Sequence, residues 1–155
     1  MADRTPLFQL ISGQVLTSAL TEIGSAGNSR IRLGNATSLY LVVDYTRAGG
    51  SASGKCIIRA EVHTAGPTGI TDMADVAQLP AAGWGPIPVL DSASFATGRM
   101  DAYPFEATLY PSATGTTRRV LGPLDVGHGY FARVFVADTD GAAPGTVAVY
   151  WRGTL

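Results

Sequence analysis

Two apolar stretches separated by a loop constrain the fold of this chain more than any other feature. The first, Leu39–Thr46, consists almost entirely of β-branched, aromatic and leucine side chains, which suit a pleated surface buried on most of one side. In the second, Lys55–His63, one face carries Cys56, Ile58, Ala60 and Val62, and the other carries Lys55, Arg59, Glu61 and His63. This period of two predicts a strand with a dry face and a solvated face. Because residues 47–54 are typical turn residues, we predict an antiparallel hairpin at the centre of a β-sandwich.

Similar alternation recurs along the rest of the chain. The segments with this pattern are Gln14–Ile23, Ser29–Leu33, Phe105–Tyr110, Thr116–Leu121, Gly129–Ala137 and Thr146–Arg152. A helix is the alternative for Gln14–Ile23, but its Thr and Val content and the flanking glycines favour a strand. About eight short strands without a long helical pattern predict an all-β protein, either an antiparallel β-sandwich or a jelly-roll-like barrel.

Two segments differ from this pattern. Residues 1–12 begin polar and continue with the apolar patch Leu7–Ile11, which suits either a first strand or an arm that docks on a neighbour. We predict an N-terminal arm over residues 1–12 and a single domain over residues 13–155. Residues 64–94 are rich in Pro and Gly, which exclude most of this segment from central strands. We interpret it as an insertion that contacts a partner.

The composition favours a protein that works in an assembly. Charged residues make up 15% of the chain and the net charge is -1, so few charges keep copies apart. A basic surface for nucleic acid is not expected, and no apolar run has the length of a membrane span. The N-terminus lacks the pattern of a signal peptide. The single cysteine, Cys56, excludes an internal disulfide and is predicted to be a buried structural thiol.

Residues that could carry chemistry do not form a recognisable site. The histidines, His63 and His128, have no metal-binding spacing and are predicted on a strand surface and in a turn. Asp138 and Asp140 are predicted to form a β-turn, since the later ligands of a calcium loop are missing. No nucleophile elbow occurs, and two strand carboxylates such as Glu61 and Glu106 are weak grounds for a glycosidase. We therefore expect no catalytic residue, metal or cofactor, and a protein that is not an enzyme.

The two tryptophans leave alternatives open. Trp151 alternates with valines, which favours packing. Trp84 lies in the Gly/Pro-rich segment, where three interpretations remain: cover by another subunit, packing within the chain, or a platform on which a sugar stacks.

The order of the motifs resembles that of small virion structural proteins of tailed bacteriophages. The motifs are Val15–Thr21 (VLTSALT), Leu39–Thr46 (LYLVVDYT), Ala107–Pro111 (ATLYP), Ala132–Asp138 (ARVFVAD) and Thr146–Tyr150 (TVAVY). Residues 64–94 depart from the pattern by being longer and richer in proline. The resemblance implies a β-sandwich subunit that decorates or cements the capsid; a place in the tail or neck is the alternative.

This resemblance also implies partners. They are the major capsid protein or other virion proteins, together with further copies of the chain, a trimer being one option; neither nucleic acid nor membrane is expected. The protein would be made in the host cytoplasm and reside in the virion. The residues predicted to contact partners are Leu7, Phe8, Leu10, Ile11 and Trp84. The alternative function is a receptor- or carbohydrate-binding module on a phage tail or neck or on a cell surface.

Overall fold

The fold is all-β, as predicted. The structure, a computed structural model, describes residues 7–24, 30–48, 54–64, 76, 79–90, 102–110, 115–127, 129–140 and 143–155. Its strands are β1 (Phe8–Val15), β2 (Thr21–Glu22), β3 (Ile31–Arg32), β4 (Ser38–Thr46), β5 (Cys56–His63), β6 (Trp84–Pro86), β7 (Pro88–Leu90), β8 (Ala102–Pro104), β9 (Glu106–Leu109), β10 (Thr116–Asp125), β11 (Phe131–Asp138) and β12 (Thr146–Thr154). A short 3₁₀ turn at Ala81–Gly83 precedes β6.

The strands form two antiparallel sheets that pack face to face as a β-sandwich. Sheet A has the order β1-β12-β4-β10. Sheet B has the order β2-β11-β5-β6, with β3 also beside β11 and β9 also beside β5. Strands β7 and β8 form a separate pair.

The core lies between the inner faces of β4 and β5. Every second residue of β4 (Leu39, Leu41, Val43 and Tyr45) and of β5 (Cys56, Ile58, Ala60 and Val62) is buried. This confirms the dry face predicted from the alternation of the second stretch. Burying a side chain of the Val, Leu or Ile type contributes about 1.5–3 kcal/mol, so these positions supply much of the stability.

The predicted hairpin between the two stretches is wrong. Strand β4 pairs with β12 and β10 in sheet A, whereas β5 pairs with β11, β6 and β9 in sheet B. The chain between them therefore crosses from one sheet to the other. Tight hairpin loops have about two to five residues, and the longer link here can span the ~10 Å between packed sheets. Crossing lets the two dry faces cover each other.

The segment Gln14–Ile23 also crosses between sheets, so the prediction of one strand is wrong. Strand β1 ends at Val15, and β2 begins at Thr21 beside β11. The backbone N–H of Asp138 donates to the carbonyl of Thr17, 2.8 Å away, within the connection. The core positions Leu16 and Ile23 are both buried. The alternating pattern thus identifies the inward-facing residues but does not predict the break between β1 and β2.

The N-terminal patch forms a strand from Phe8 onward. Strand β1 runs through the predicted end of the arm at residue 12 and pairs with β12 along its length, with two irregularities in register. Of the two interpretations of Leu7–Ile11, the first strand is therefore the one that the structure has.

Strand β10 extends beyond its predicted end at Leu121. Its pairing with β4 shifts between Leu121 and Leu124, where Gly122 has a φ of 134°. A Cβ atom on Gly122 would lie 2.7 Å from the Leu39 carbonyl oxygen, so a side chain does not fit there. A bulge on an edge strand tolerates a proline such as Pro123, because that position needs no ladder hydrogen bond.

One buried carboxylate joins the two sheets. Asp138, at the end of β11, accepts a hydrogen bond of 2.7 Å from the Tyr45 hydroxyl on β4. The Gly145 N–H donates to the same oxygen at 2.8 Å, and the Asp140 N–H donates to the other oxygen at 2.8 Å. The last of these bonds is the Asx-type turn contact expected of the predicted Asp138–Asp140 turn.

We predict that Tyr45→Phe lowers the free energy of unfolding by about 1–3 kcal/mol, because Asp138 loses a donor that water cannot readily replace in the core. Urea unfolding monitored by tryptophan fluorescence measures this change. Tyr110→Phe is the matched control, since Tyr110 is exposed and the expected change is within about 0.5 kcal/mol. Equal losses in both variants would contradict the assigned role of the hydroxyl.

Candidate interaction surface

The outer face of sheet A is a regular surface that the described residues leave uncovered. We call it the sheet A face and define it by the residues that alternate with the core positions, which are Tyr40, Val42, Asp44 and Thr46 of β4, Thr146, Ala148, Tyr150 and Arg152 of β12, and Thr116, Arg118 and Val120 of β10. Residues that face each other across neighbouring strands point to the same side of a sheet. These side chains therefore form rows across three strands.

The central row of the sheet A face is apolar. Tyr150 and Val120 lie opposite Val42 on its two sides. Val120 is 61% exposed, which is unusual for a valine within a strand. In the next row towards the β10 bulge, the Arg152 guanidinium lies 4.9 Å from the centre of the Tyr40 ring. Together these residues offer a flat apolar surface with an amphipathic margin.

The charges nearest the apolar row are paired within the face. Arg118 donates two hydrogen bonds of 2.7 Å to the two carboxylate oxygens of Asp44. This hydrogen bonding, together with the positive charge of Arg118, lowers the pKa of Asp44 below its ordinary value despite partial desolvation. In the row beyond, the hydroxyls of Thr46 and Thr116 are hydrogen-bonded at 2.7 Å. Apart from Arg152, whose guanidinium lies over the Tyr40 ring, the face therefore presents little unpaired charge to a partner.

One end of the outer face of sheet B is covered by the chain itself. Val76 and Leu79, from the predicted insertion, pack with Phe131 and Trp84 in a second hydrophobic cluster. Ion pairs flank this cluster: Arg133 with Glu61, Arg59 with Glu106, and Arg30 with Glu22. Cover at this end and the larger number of charged side chains leave this side less suited to an apolar partner than the sheet A face.

Trp84 packs within the chain. The Arg133 guanidinium lies 4.3 Å and that of Arg30 5.0 Å from the centre of its ring, and His63 meets it edge-on at 4.8 Å. Cation–π contacts of this kind hold the indole in place. Of the three interpretations of Trp84, packing within the chain is the one that the structure has.

The other predicted contact residues lie on β1, an edge of sheet A. Leu7 and Phe8 are 50% and 47% exposed, and the Phe8 ring stacks on Trp151 with 5.0 Å between the ring centres. Leu10 and Ile11 are partly buried and pack against the core. Since Trp84 belongs to β6 in the other sheet, the five residues do not form one patch.

His63 is buried rather than exposed as predicted. It is 2% exposed, and its Nε2 donates to the Pro80 carbonyl oxygen at 2.9 Å, since a carbonyl can only accept. The prediction failed because the segment Leu79–Trp84 covers this end of β5, which sequence periodicity cannot foresee. His128 lies outside the described residues.

Potential acid–base and metal-binding groups are dispersed or paired. Glu61 and Glu106 each bind an arginine. Within the described ranges, no three His, Cys, Asp or Glu side chains are grouped so that they could hold a metal ion.

Two open hollows lie at one end of the sandwich, on either side of the turn Asn35–Ala36. One, of about 310 Å³, is lined mainly by apolar groups, including Phe8, Leu33 and Trp151. The other, of about 320 Å³, is lined by Thr37, Tyr130 and neighbouring glycines. Among the residues that the structure describes, neither lining includes a carboxylate or histidine side chain.

The sequence analysis did not identify the sheet A face. A signal was present in Leu39–Val43, where apolar residues occupy both faces of the strand and not the inner face alone. Val120 between polar neighbours in β10 was a second sign, but its row with Val42 and Tyr150 depends on the register of three strands.

Comparison with protein-family models, with curated proteins and with solved structures finds no match to this chain. The described part of the chain contains no helix with the length and apolarity that a membrane crossing requires.

Cys56 is the buried thiol that the sequence predicts. It is fully buried on β5, and burial, together with the nearby Asp138, raises its pKa to about 12 from 9.0. The unfolded state therefore loses the thiol proton at lower pH than the folded state. The stabilisation is fully present below about pH 9 and is lost as the pH rises towards the folded-state pKa.

We predict that the free energy of unfolding falls less steeply with pH in Cys56→Ala than in the native protein between about pH 9 and pH 10.5, by up to about 1.4 kcal/mol per pH unit. Urea titrations at a series of pH values measure the slope. The pKa of Tyr45 is raised by burial and by its bond to Asp138, with a smaller contribution from Cys56, so most of the effect of Tyr45 is common to both proteins and cancels in the comparison. Identical slopes would contradict the assignment.

Proposed function

We propose that this protein is a non-enzymatic structural subunit of a virus particle, one that decorates or cements the capsid of a tailed bacteriophage. The observation that carries the proposal is the sheet A face, an uncovered apolar row bordered on one side by the ion pair of Arg118 and Asp44 and on the other by Arg152 over the Tyr40 ring. When such a face is buried against the neutral surface of another protein, the desolvation of its polar groups costs little free energy. The resemblance of the motif order to small virion structural proteins points in the same direction.

The proposed partner is the major capsid protein or another protein of the shell. Val42, Val120 and Tyr150 would form the apolar centre of the contact, and Arg152 and the threonine row would form its rim. Protein interfaces commonly have this arrangement of an apolar centre and a polar margin. Single contacts of this size are modest, but a subunit that bridges several shell proteins gains from multivalency.

Residues 1–12, the predicted arm, are not the main capsid contact in this proposal. Leu10 and Ile11 stabilise the sandwich itself, so deleting residues 1–12 would remove more than half of β1 and damage the fold. Point substitutions on an exposed face are the better test of capsid binding.

A second candidate function is a receptor- or carbohydrate-binding module, favoured by the hollow that Phe8 and Trp151 line beside Asn35. Aromatic rings stack on sugar rings, and an amide can hydrogen-bond to hydroxyl groups. A glycan screen with Asn35→Ala as the control variant separates the two candidates, since saturable binding lost in that variant would favour the module.

We predict that Val120→Arg weakens binding to capsids that lack this protein by at least about tenfold, equivalent to 1.4 kcal/mol, because it places an unpaired charge in the apolar row. Co-sedimentation with purified capsids measures binding. Leu155→Arg is the matched control, since Leu155 is 91% exposed and the charge change is the same. Both variants should unfold within about 0.5 kcal/mol of the native protein. Undiminished binding by Val120→Arg would overturn the role of this face.

A further inference from the structure

The edges of the two sheets differ in how they are protected against pairing with another chain. Natural edge strands avoid such pairing by being short, by bulges and prolines, or by charged residues that point inward. In sheet B the outermost strands are short: β2 and β3 have two residues each, β6 three and β9 four.

The β10 edge of sheet A carries several of these protections. Arg119 lies opposite Val43, on the core side of the sheet, yet remains exposed at the edge. The bulge between Leu121 and Leu124, with Pro123 inside it, interrupts the ladder near the end of the strand. A strand that added to β10 would have to accommodate a charge, a bulge and a missing N–H donor.

The β1 edge carries fewer. Phe8–Val15 (FQLISGQV) is eight residues long and has neither a charged residue nor a proline. In the described part of the chain β12 is its one neighbour, so its other side has no partner strand. Large apolar side chains are exposed at both ends, with Leu7 and Phe8 about half exposed and Val15 63% exposed. In the described residues, the features of β1 that oppose pairing are two register irregularities towards β12 and the positive φ of 67° at Gly13.

We propose that β1 pairs in an antiparallel manner with β1 of a second copy of this chain, which joins two four-stranded sheets into one continuous sheet of eight strands. A second copy suits this edge because an uncharged strand meets itself without repulsion between like charges. A two-fold axis makes both sides of the contact identical, so the apolar ends of both copies are covered at once. The net charge of -1 per chain adds little long-range repulsion.

This pairing has a geometric consequence for the sheet A face. A two-fold axis perpendicular to the sheet leaves the outer faces of both copies on the same side. The dimer would therefore present two apolar rows to one partner surface. The inference does not depend on the proposed capsid role, since it concerns the purified protein alone.

Analytical ultracentrifugation of the purified full chain, over concentrations from micromolar to near-millimolar, tests the proposal. We expect a reversible monomer–dimer equilibrium in the native protein. Ser12→Lys places a charge in the middle of β1 and should shift the dimer dissociation constant upward by at least tenfold. Ser18→Lys is the matched control: it introduces the same charge at an exposed residue beyond the end of β1 and should leave the equilibrium unchanged.

A charge-swap experiment makes the test independent of any loss of stability. Ser12→Lys and Ser12→Glu should each be largely monomeric, whereas an equal mixture of the two should associate, because opposite charges then meet in the interface. A native protein that stays monomeric at all concentrations overturns the proposal. A dimer or trimer that persists in Ser12→Lys also overturns it. The same holds if Val120→Arg abolishes the association and Ser12→Lys does not.

Discussion

The structure depends on the mutual burial of two alternating strands that belong to different sheets. The inner residues of β4 and β5 are buried across the sandwich, and each strand is flanked by neighbours that continue the same inner layer. In either sheet alone the apolar inner face would be exposed to water, so the two sheets stabilise each other. The hydrogen bond between Tyr45 and Asp138 then fixes how the sheets meet at one end, because a buried carboxylate without its donors would be costly.

The same division explains why the two outer faces differ. One end of the outer face of sheet B is covered by Leu79–Trp84 and by Val76, and the ion-paired Arg30 and Arg133 lie against Trp84 there. Sheet A has no such cover among the described residues. Its outer residues are instead small, aromatic or paired in place, as Arg118 is with Asp44. Exposed apolar side chains are found both on this face, with Val120, and along the β1 edge, with Phe8 and Val15.

Periodicity predicted the local structure well and the connections poorly. The alternation in Cys56–Val62 correctly identified the inner face, since burial acts on each residue separately. The hairpin between β4 and β5 was wrong because turn residues do not specify whether the next strand lies beside the last or in the opposite sheet. For a related reason, the burial of His63 was not predicted and the place of Trp84 was left open. Both residues are surrounded by groups that are distant in the sequence and are brought close by the fold. The sheet A face, likewise, emerges only when the register of β12, β4 and β10 is known.

The bidentate pair between Arg118 and Asp44 has a kinetic consequence. Because Arg118 and Asp44 neutralise each other and leave Arg152 as the one further charge among the residues that define the sheet A face, the field of this face is weak and draws a partner in little from a distance. Association through such a surface proceeds at the ordinary unsteered rate of about 10⁵–10⁶ M⁻¹ s⁻¹ and depends weakly on ionic strength. The fit between the apolar row and its counterpart then sets the dissociation rate and so the lifetime of the complex.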